Sequence, residues 1–222
     1  VLKPIIDAYQ ELYDGKLDLL SVSQPKRTGK TTSALRLISM MSGRNPSGST
    51  LAVGSGNGLV NSFHGGMLEL YTTPNSRVYD VFPDAKLVRT KADEMIIDLE
   101  KQSRFPTITS RSVDGQIVGS TEANNLLYLD DTVKNHEEAM NRTRLEFLCE
   151  KVAGDVLGRR IEGTPILIQG TKYSLYDPIT FLQNKATEMN WRWKEVAIPA
   201  LDENDNSNFT IYLDGRYIFT TE

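Results

Sequence analysis

The stretch SVSQPKRTGKTTSA, Ser21 to Ala34, constrains the fold more than any other part of the chain. LDLLSVS, which runs into it, reads as a strand, and KTTSALRLISMMSG at its far end reads as a helix. Strand, tight loop and helix N-terminus together form the context in which backbone N–H groups converge on an anion. Gly29, Lys30 and Thr31 fit the second half of the pattern G-x-x-x-x-G-K-[ST], but Gln24 stands where the pattern has its first glycine. The loop then needs another way in, for which the fixed φ of Pro25 is a candidate. In such a loop the lysine reaches the β- and γ-phosphates, the following hydroxyl holds Mg²⁺, and the glycine allows close backbone approach. The expected nucleotide-binding residues are Gln24, Pro25, Lys26, Arg27, Thr28, Gly29, Lys30, Thr31 and Thr32. Lys26 and Arg27 add cations beside Lys30 and are candidates for a γ-phosphate contact, an adjacent strand or a neighbouring subunit. The competing reading is a solvated turn before a helix.

A second strand end supplies carboxylates. In LLYLDD the apolar residues Leu126 to Leu129 lead into Asp130 and Asp131. A phosphate-loop ATPase needs one carboxylate in the Mg²⁺ shell and another to orient the attacking water. Asp130, with Thr31, suits the metal, and Asp131, with Lys30, suits the chemistry. Asp131 would also serve as a helix cap before TVKNHEEA. A third strand end, ILIQGTKYSLYD, places Gly170 and Thr171 after another apolar run, where a small polar residue can sense the γ-phosphate and couple hydrolysis to movement.

Strand-like and helix-like segments alternate elsewhere too. KPIIDAYQELYDGK reads as a helix with Ile5, Ile6, Tyr9, Leu12 and Tyr13 on one face, Pro4 in its first turn and Gly15 at its stop. STLAVGS, EMIIDLE, PTITSRSV and WRWKEVAIPA read as strands. LVNSFHGGMLELY reads as a helix despite its paired glycines, and DPITFLQNKATEM as one capped by Asp177. NHEEAMNRTRLEFLCEKVAGDVLG is the longest helical pattern, and residues 73–95 are mixed. This alternation implies an α/β fold, a mostly parallel sheet with helices on both faces, and with the strand-end motifs the expectation is the phosphate-loop NTPase (RecA-like) type. Ligands of such sheets bind beyond the carboxyl ends of the strands, where all three motifs lie.

By this point the residues resemble a known family. SQPKRTGKTT, LLYLDD and PILIQGTKYSLYD, in this order, look like the ATPase domain of the large terminase subunit of tailed bacteriophages. LAVGSGNGLVNSF and SVDGQIVGS between them are similar to it as well. That family's loop lacks the first glycine and carries a basic residue three before the Gly-Lys glycine. Lys26 holds that place here, with Arg27 beside it, where arginine is more usual. The resemblance covers roughly residues 1–200. It implies a Mg²⁺-dependent ATPase that pushes double-stranded DNA into a procapsid as a ring on the portal protein, with the small terminase subunit as a further partner. It places the protein in the cytoplasm of the infected host, transiently at the portal, with no membrane role. The isolated domain is expected to be monomeric.

The family also implies an arginine supplied by a neighbouring subunit. VGSTEANN offers none, which leaves Arg104, Arg111 and Arg142, with Arg144, as candidates. Tyr9, Tyr13 and Gln10 are candidates for the adenine. Full-length relatives carry a nuclease domain, and residues 201–222, opening with the acidic LDENDNSN, read as a linker or lid-like tail toward such a domain. The abrupt start at Val1 reads the same way, as a piece of a longer protein.

Composition narrows the rest. The net charge of −4 announces no nucleic-acid binder, so any such role rests on a local patch. The single cysteine, Cys149, allows no internal disulfide and reads as a buried thiol on a helix. His64 and His136 have no Cys or His cluster around them, which argues against structural zinc. Trp191 and Trp193 read as one side of a strand, packed against the core. A helicase-like translocase and a non-catalytic nucleotide-binding scaffold remain the alternatives.

Overall fold

In a computed structural model the described residues are 3–25, 27–102, 104–115, 117, 121–200, 211–213 and 216–219. The chain enters through α1 (Lys3–Tyr13), β1 (Leu19–Ser23), α2 (Lys30–Arg44), β2 (Thr50–Gly54) and α3 (Asn57–Thr72). The short α4 (Val78–Val81), β3 (Leu87–Lys91), β4 (Ile96–Leu99), β5 (Ile108–Ser112) and β6 (Leu126–Asp130) follow. Then come α5 (His136–Met140), α6 (Arg142–Lys151), β7 (Ile166–Gly170), α7 (Pro178–Glu188) and β8 (Trp193–Ala197). An antiparallel pair, β9 (Ile211–Leu213) and β10 (Arg216–Phe219), ends the described chain. The acidic stretch 201–208 read as a linker lies outside the described residues.

The main sheet has eight strands in the order β3-β4-β5-β2-β6-β7-β1-β8. From β5 to β8 every pairing is parallel, and β3 and β4 add an antiparallel edge. This is the expected α/β fold with a mostly parallel sheet. Period-two alternation divides each central strand between two cores. Leu126 and Tyr128 of β6 pack with Leu167 of β7 beneath α1, α2 and α3. Leu127 and Leu129 turn the other way, with Ile166 and Ile168, toward α6 and α7. Both faces are covered, so these strands are continuous apolar runs.

Several local expectations change. The long helical pattern is broken at Asn141, whose side chain accepts from Arg144 N and caps α6. Asn135 caps α5 by accepting from Glu138 N, so Asp131 is not the cap. Past α6 the chain continues as a π-helical turn, Val152–Val156, and a 3₁₀ turn, Leu157–Arg159. Leu145, Leu148, Val152 and Val156 keep one apolar face through these changes, which is why the sequence pattern reads straight through them. β3 emerges from the mixed stretch as a half-exposed edge strand.

Trp191 and Trp193 do not share a strand face. Trp191 precedes β8 and lies under the Arg160 guanidinium, 4.4 Å from ring centroid to Cζ, while Trp193 opens the strand partly exposed. On α1 the core face is Ile5, Ala8, Tyr9 and Leu12, and Ile6 is exposed. The paired glycines of α3 have a packing cause at Gly66, where a Cβ would meet Leu35 Cδ1 of α2 at 2.7 Å. The expected stop at Gly15 has its left-handed φ of 71°.

Asp177 caps α7 and also clamps the loop leading from β7. Its buried carboxylate accepts from Thr180 N at 3.0 Å, Tyr173 N at 3.0 Å and Ser174 N at 3.3 Å. Asp177→Ala leaves these donors without their acceptor and should lower the unfolding free energy by on the order of 2 kcal/mol in urea denaturation. An unchanged midpoint would show that the clamp contributes nothing.

Candidate active site

Parallel register brings the three motif ends to one edge of the sheet. Ser23 of β1 is level with Gly170 of β7, and Asp130 of β6 is level with Gln169 of β7. The loop that follows β1 does not need a glycine at Gln24. Positive φ falls instead on Arg27, at 62°, and Gly29, at 85°, and not on Gln24. Gln24 extends the ladder by donating its N–H to Gly170 O at 3.3 Å. Thr28 Oγ1 donates to Pro25 O at 2.7 Å and closes the turn. Lys26 lies outside the described residues. Arg27 and Thr32 are exposed, and Pro25 is half-buried.

Lys30 opens α2 and is buried. Its ammonium donates to Gln24 O at 3.3 Å and lies 3.5 Å from Asp131 Oδ1. One residue on, Thr31 Oγ1 donates to Asp130 Oδ2 at 3.0 Å. Asp130 is buried, and it is surrounded by neutral donors. Gln169 Nε2 donates to its Oδ1 at 3.2 Å, and the Tyr128 hydroxyl hydrogen-bonds it as well. Burial first, and then the neighbouring Asp131 charge, raise the Asp130 pKa above the ordinary carboxylate value, while these donors pull it back. Asp131 adopts a left-handed φ of 38° and donates its N–H to Gln169 O at 2.9 Å. With Gly170 and Thr171 it lines a narrow crevice, and a Cβ on Gly170 would come within 3.2 Å of Asp131 Oδ1.

The oxygen donors Thr31 and Asp130 fit Mg²⁺, a hard cation that takes oxygen ligands. The loop fits a phosphate in two respects. A Cβ at Gly29 would meet nothing within 4 Å, so the mouth there is open. The buried Gln24 amide finds no hydrogen-bond partner among the described residues, and neither does the Thr171 hydroxyl at the neighbouring strand end.

Beside the loop lies a cavity of about 450 Å³. Ile6, Tyr9 and Tyr13 from α1 and Leu37 and Met40 from α2 form most of its apolar wall, with Gly29 at its edge. Gln10 also lines it, but its amide donates to Asp14 Oδ1 at 2.8 Å. The Tyr9 hydroxyl faces inward, and burial pushes its pKa up to about 12.

Gln169 is the residue that motif reading missed. It is fully buried, accepts from the Tyr9 hydroxyl at 3.1 Å and donates to the Tyr128 hydroxyl at 2.6 Å. The signal was available: a glutamine inside the run PILIQG must face a core, and alternation places it on the Leu167 side.

The fold has a counterpart among solved structures. The chain is similar to the crystal structure of the HK97 bacteriophage large terminase, with a TM-score of 0.60 over 93% of this chain. The fold is terminase-like. Identity over that match is 12%, and the chain spans 41% of that protein's length. The sequence matches no protein-family model and no curated protein.

The candidate trans arginines all have local partners. Arg111 donates to Glu94 O at 2.6 Å and Ser110 O at 2.8 Å, and burial lowers its pKa. Arg144 pairs with Asp114 and Glu138. Arg142 is exposed, pairs with Glu146 at 2.9 Å and covers the Tyr176 ring. Arg104 is exposed and stacks on Phe105. His64 is buried and its pKa lies below the ordinary value because of desolvation, whereas His136 is exposed near Tyr173. No described helix is long and apolar enough to cross a membrane.

Cys149 is only partly buried, and its thiol donates to Tyr176 O at 3.4 Å. Burial, then the Asp177 and Glu146 charges, push its pKa up to about 11. Because the thiolate is the reactive form, and a more basic thiolate is only partly compensated by its higher nucleophilicity, iodoacetamide labelling at neutral pH should be about tenfold slower than for an unperturbed thiol. The rate should climb with pH until about 11. Labelling as fast as a free thiol would contradict this environment.

Proposed function

We propose that this chain is the ATP-hydrolysing motor module of a terminase-type DNA-packaging enzyme. The observation that carries the reading is the meeting of Lys30, Thr31, Asp130 and Asp131 at one sheet edge, within 3.5 Å pairwise contacts. The terminase-like fold supports it. So does the apolar cavity flanked by Tyr9 and Tyr13, which suits a nucleobase beside the loop.

Each residue then has a role. Lys30 exchanges Asp131 and Gln24 O for phosphate oxygens, leaving Asp131 to orient the attacking water. Thr31 and Asp130 hold Mg²⁺, which when bound offsets the charge developing on the phosphates. The backbone of Arg27 to Thr32 cradles the phosphate, with Arg27 reaching outward as an added cation. Gly170 and Thr171 stand beside Asp131, where they can relay hydrolysis to the loop clamped by Asp177. Tyr9 and Tyr13 flank the base.

The wider proposal follows the terminase likeness. The module acts as a homo-oligomeric ring on a portal protein, with a small terminase subunit, on double-stranded DNA in the cytoplasm of an infected bacterium. An arginine from a neighbouring copy completes the site, and the exposed Arg142 and Arg104 are the candidates best placed to be released from their local contacts.

Mg²⁺-dependent phosphate release, measured at high protein concentration, tests the reading, because an arginine supplied in trans is worth ~10³–10⁵ in rate. Lys30→Ala should abolish release. Asp131→Ala should slow it by about 10²-fold or more while ATP binding stays close to the parent's. If both variants hydrolyse like the parent, the site assignment fails. A parent that binds ATP without turnover even when assembled would favour a nucleotide-binding scaffold.

A further inference from the structure

The geometry points to Gln169 as a positioning residue that ties the cavity wall to the metal-site carboxylate. This inference rests on the nucleotide reading of the site and extends it to a residue of the third strand end that the motif reading gave no role. The buried amide engages both its oxygen and its nitrogen. Its Oε1 accepts from the Tyr9 hydroxyl at 3.1 Å, and its Nε2 donates to the Tyr128 hydroxyl at 2.6 Å and to Asp130 Oδ1 at 3.2 Å. An amide has two donor hydrogens and one acceptor oxygen, so every polar atom of the side chain is engaged, both donor hydrogens among them. The orientation is also fixed: turned over, the amide would set Oε1 against the Asp130 carboxylate, acceptor against acceptor.

The neighbours make the connection specific. Tyr9 lines the 450 Å³ cavity, and its hydroxyl also lies 3.3 Å from Ser33 Oγ on α2. Asp130 is held from the opposite side by Thr31 Oγ1 at 3.0 Å. A shift of the Tyr9 ring on filling of the cavity therefore pulls on one end of a rigid amide whose other end orients the metal-binding carboxylate. Groups that orient a metal ligand in this way commonly govern metal affinity by 10–100-fold. Gln169 does not line the cavity and acts on the expected metal site through Asp130, so it positions and does not react.

The test is binding, not turnover. A non-hydrolysable ATP analogue is titrated calorimetrically into the chain at a series of Mg²⁺ concentrations and in EDTA, for the parent, Gln169→Met, Tyr9→Phe and the double variant. Gln169→Met should raise the Mg²⁺ concentration for half-maximal binding by about tenfold, with the affinity in EDTA unchanged. Tyr9→Phe keeps the ring and loses only the hydroxyl, so it should shift the midpoint in the same direction by about threefold. The double variant should be no worse than Gln169→Met alone, because both changes cut the same connection.

An unshifted midpoint in Gln169→Met, an equal loss of affinity with and without Mg²⁺, or additive effects in the double variant each overturn the inference while leaving the ATP reading in place. If Gln169→Met does not fold, an unshifted Tyr9→Phe midpoint overturns it. A parent that binds no analogue overturns the nucleotide reading, and this inference with it.

Discussion

The structure depends on a carboxylate placed where water cannot reach it. Asp130 ends a strand buried along its whole length, and an ionised carboxylate there is costly unless donors surround it. Three elements supply them: Thr31 from the first turn of α2, Tyr128 from its own strand and Gln169 from β7. None of the three is charged, so the carboxylate is held in place without being neutralised. The buried cation Lys30 pairs with Asp131 instead. The arrangement requires β7 to lie between β6 and β1, which is the order the sheet has.

Strain collects at the same edge. Arg27 and Asp131 both adopt positive φ, a conformation that costs a residue with a side chain on the order of 1–3 kcal/mol. The loop thereby shifts its left-handed positions to Arg27 and Gly29 and leaves Gln24 in extended register with β7. A glutamine at the usual glycine position is thus no defect in this loop. Its carbonyl receives Lys30 and its N–H joins the sheet, backbone roles that any residue but proline can fill.

Much of this was legible before folding was considered. The apolar runs of β1, β6 and β7 announce themselves because both of their faces are covered, and Asp177 with Pro178 marks the start of α7 by local chemistry alone. β3 was not legible, since a half-exposed edge strand carries no clear alternation. The break at Asn141 was hidden because the apolar face of α6 continues through it, and a single asparagine is a weak signal unless its side chain is seen to accept from Arg144 N.

The sequence by itself determined the strand-loop-helix unit at Ser21–Ala34, the acidic strand end and the α/β class, because each rests on short-range periodicity and local backbone chemistry. Only the tertiary structure decided that Asp130 faces Thr31, that Asp131 faces Lys30, and that Gln169 joins Asp130 to Tyr9. Those contacts span about a hundred residues or more of chain for Thr31, Lys30 and Tyr9, and they exist only because strand order and parallel register bring distant strand ends level. Pairing of that kind is set by how whole faces pack, and no window of the sequence contains it.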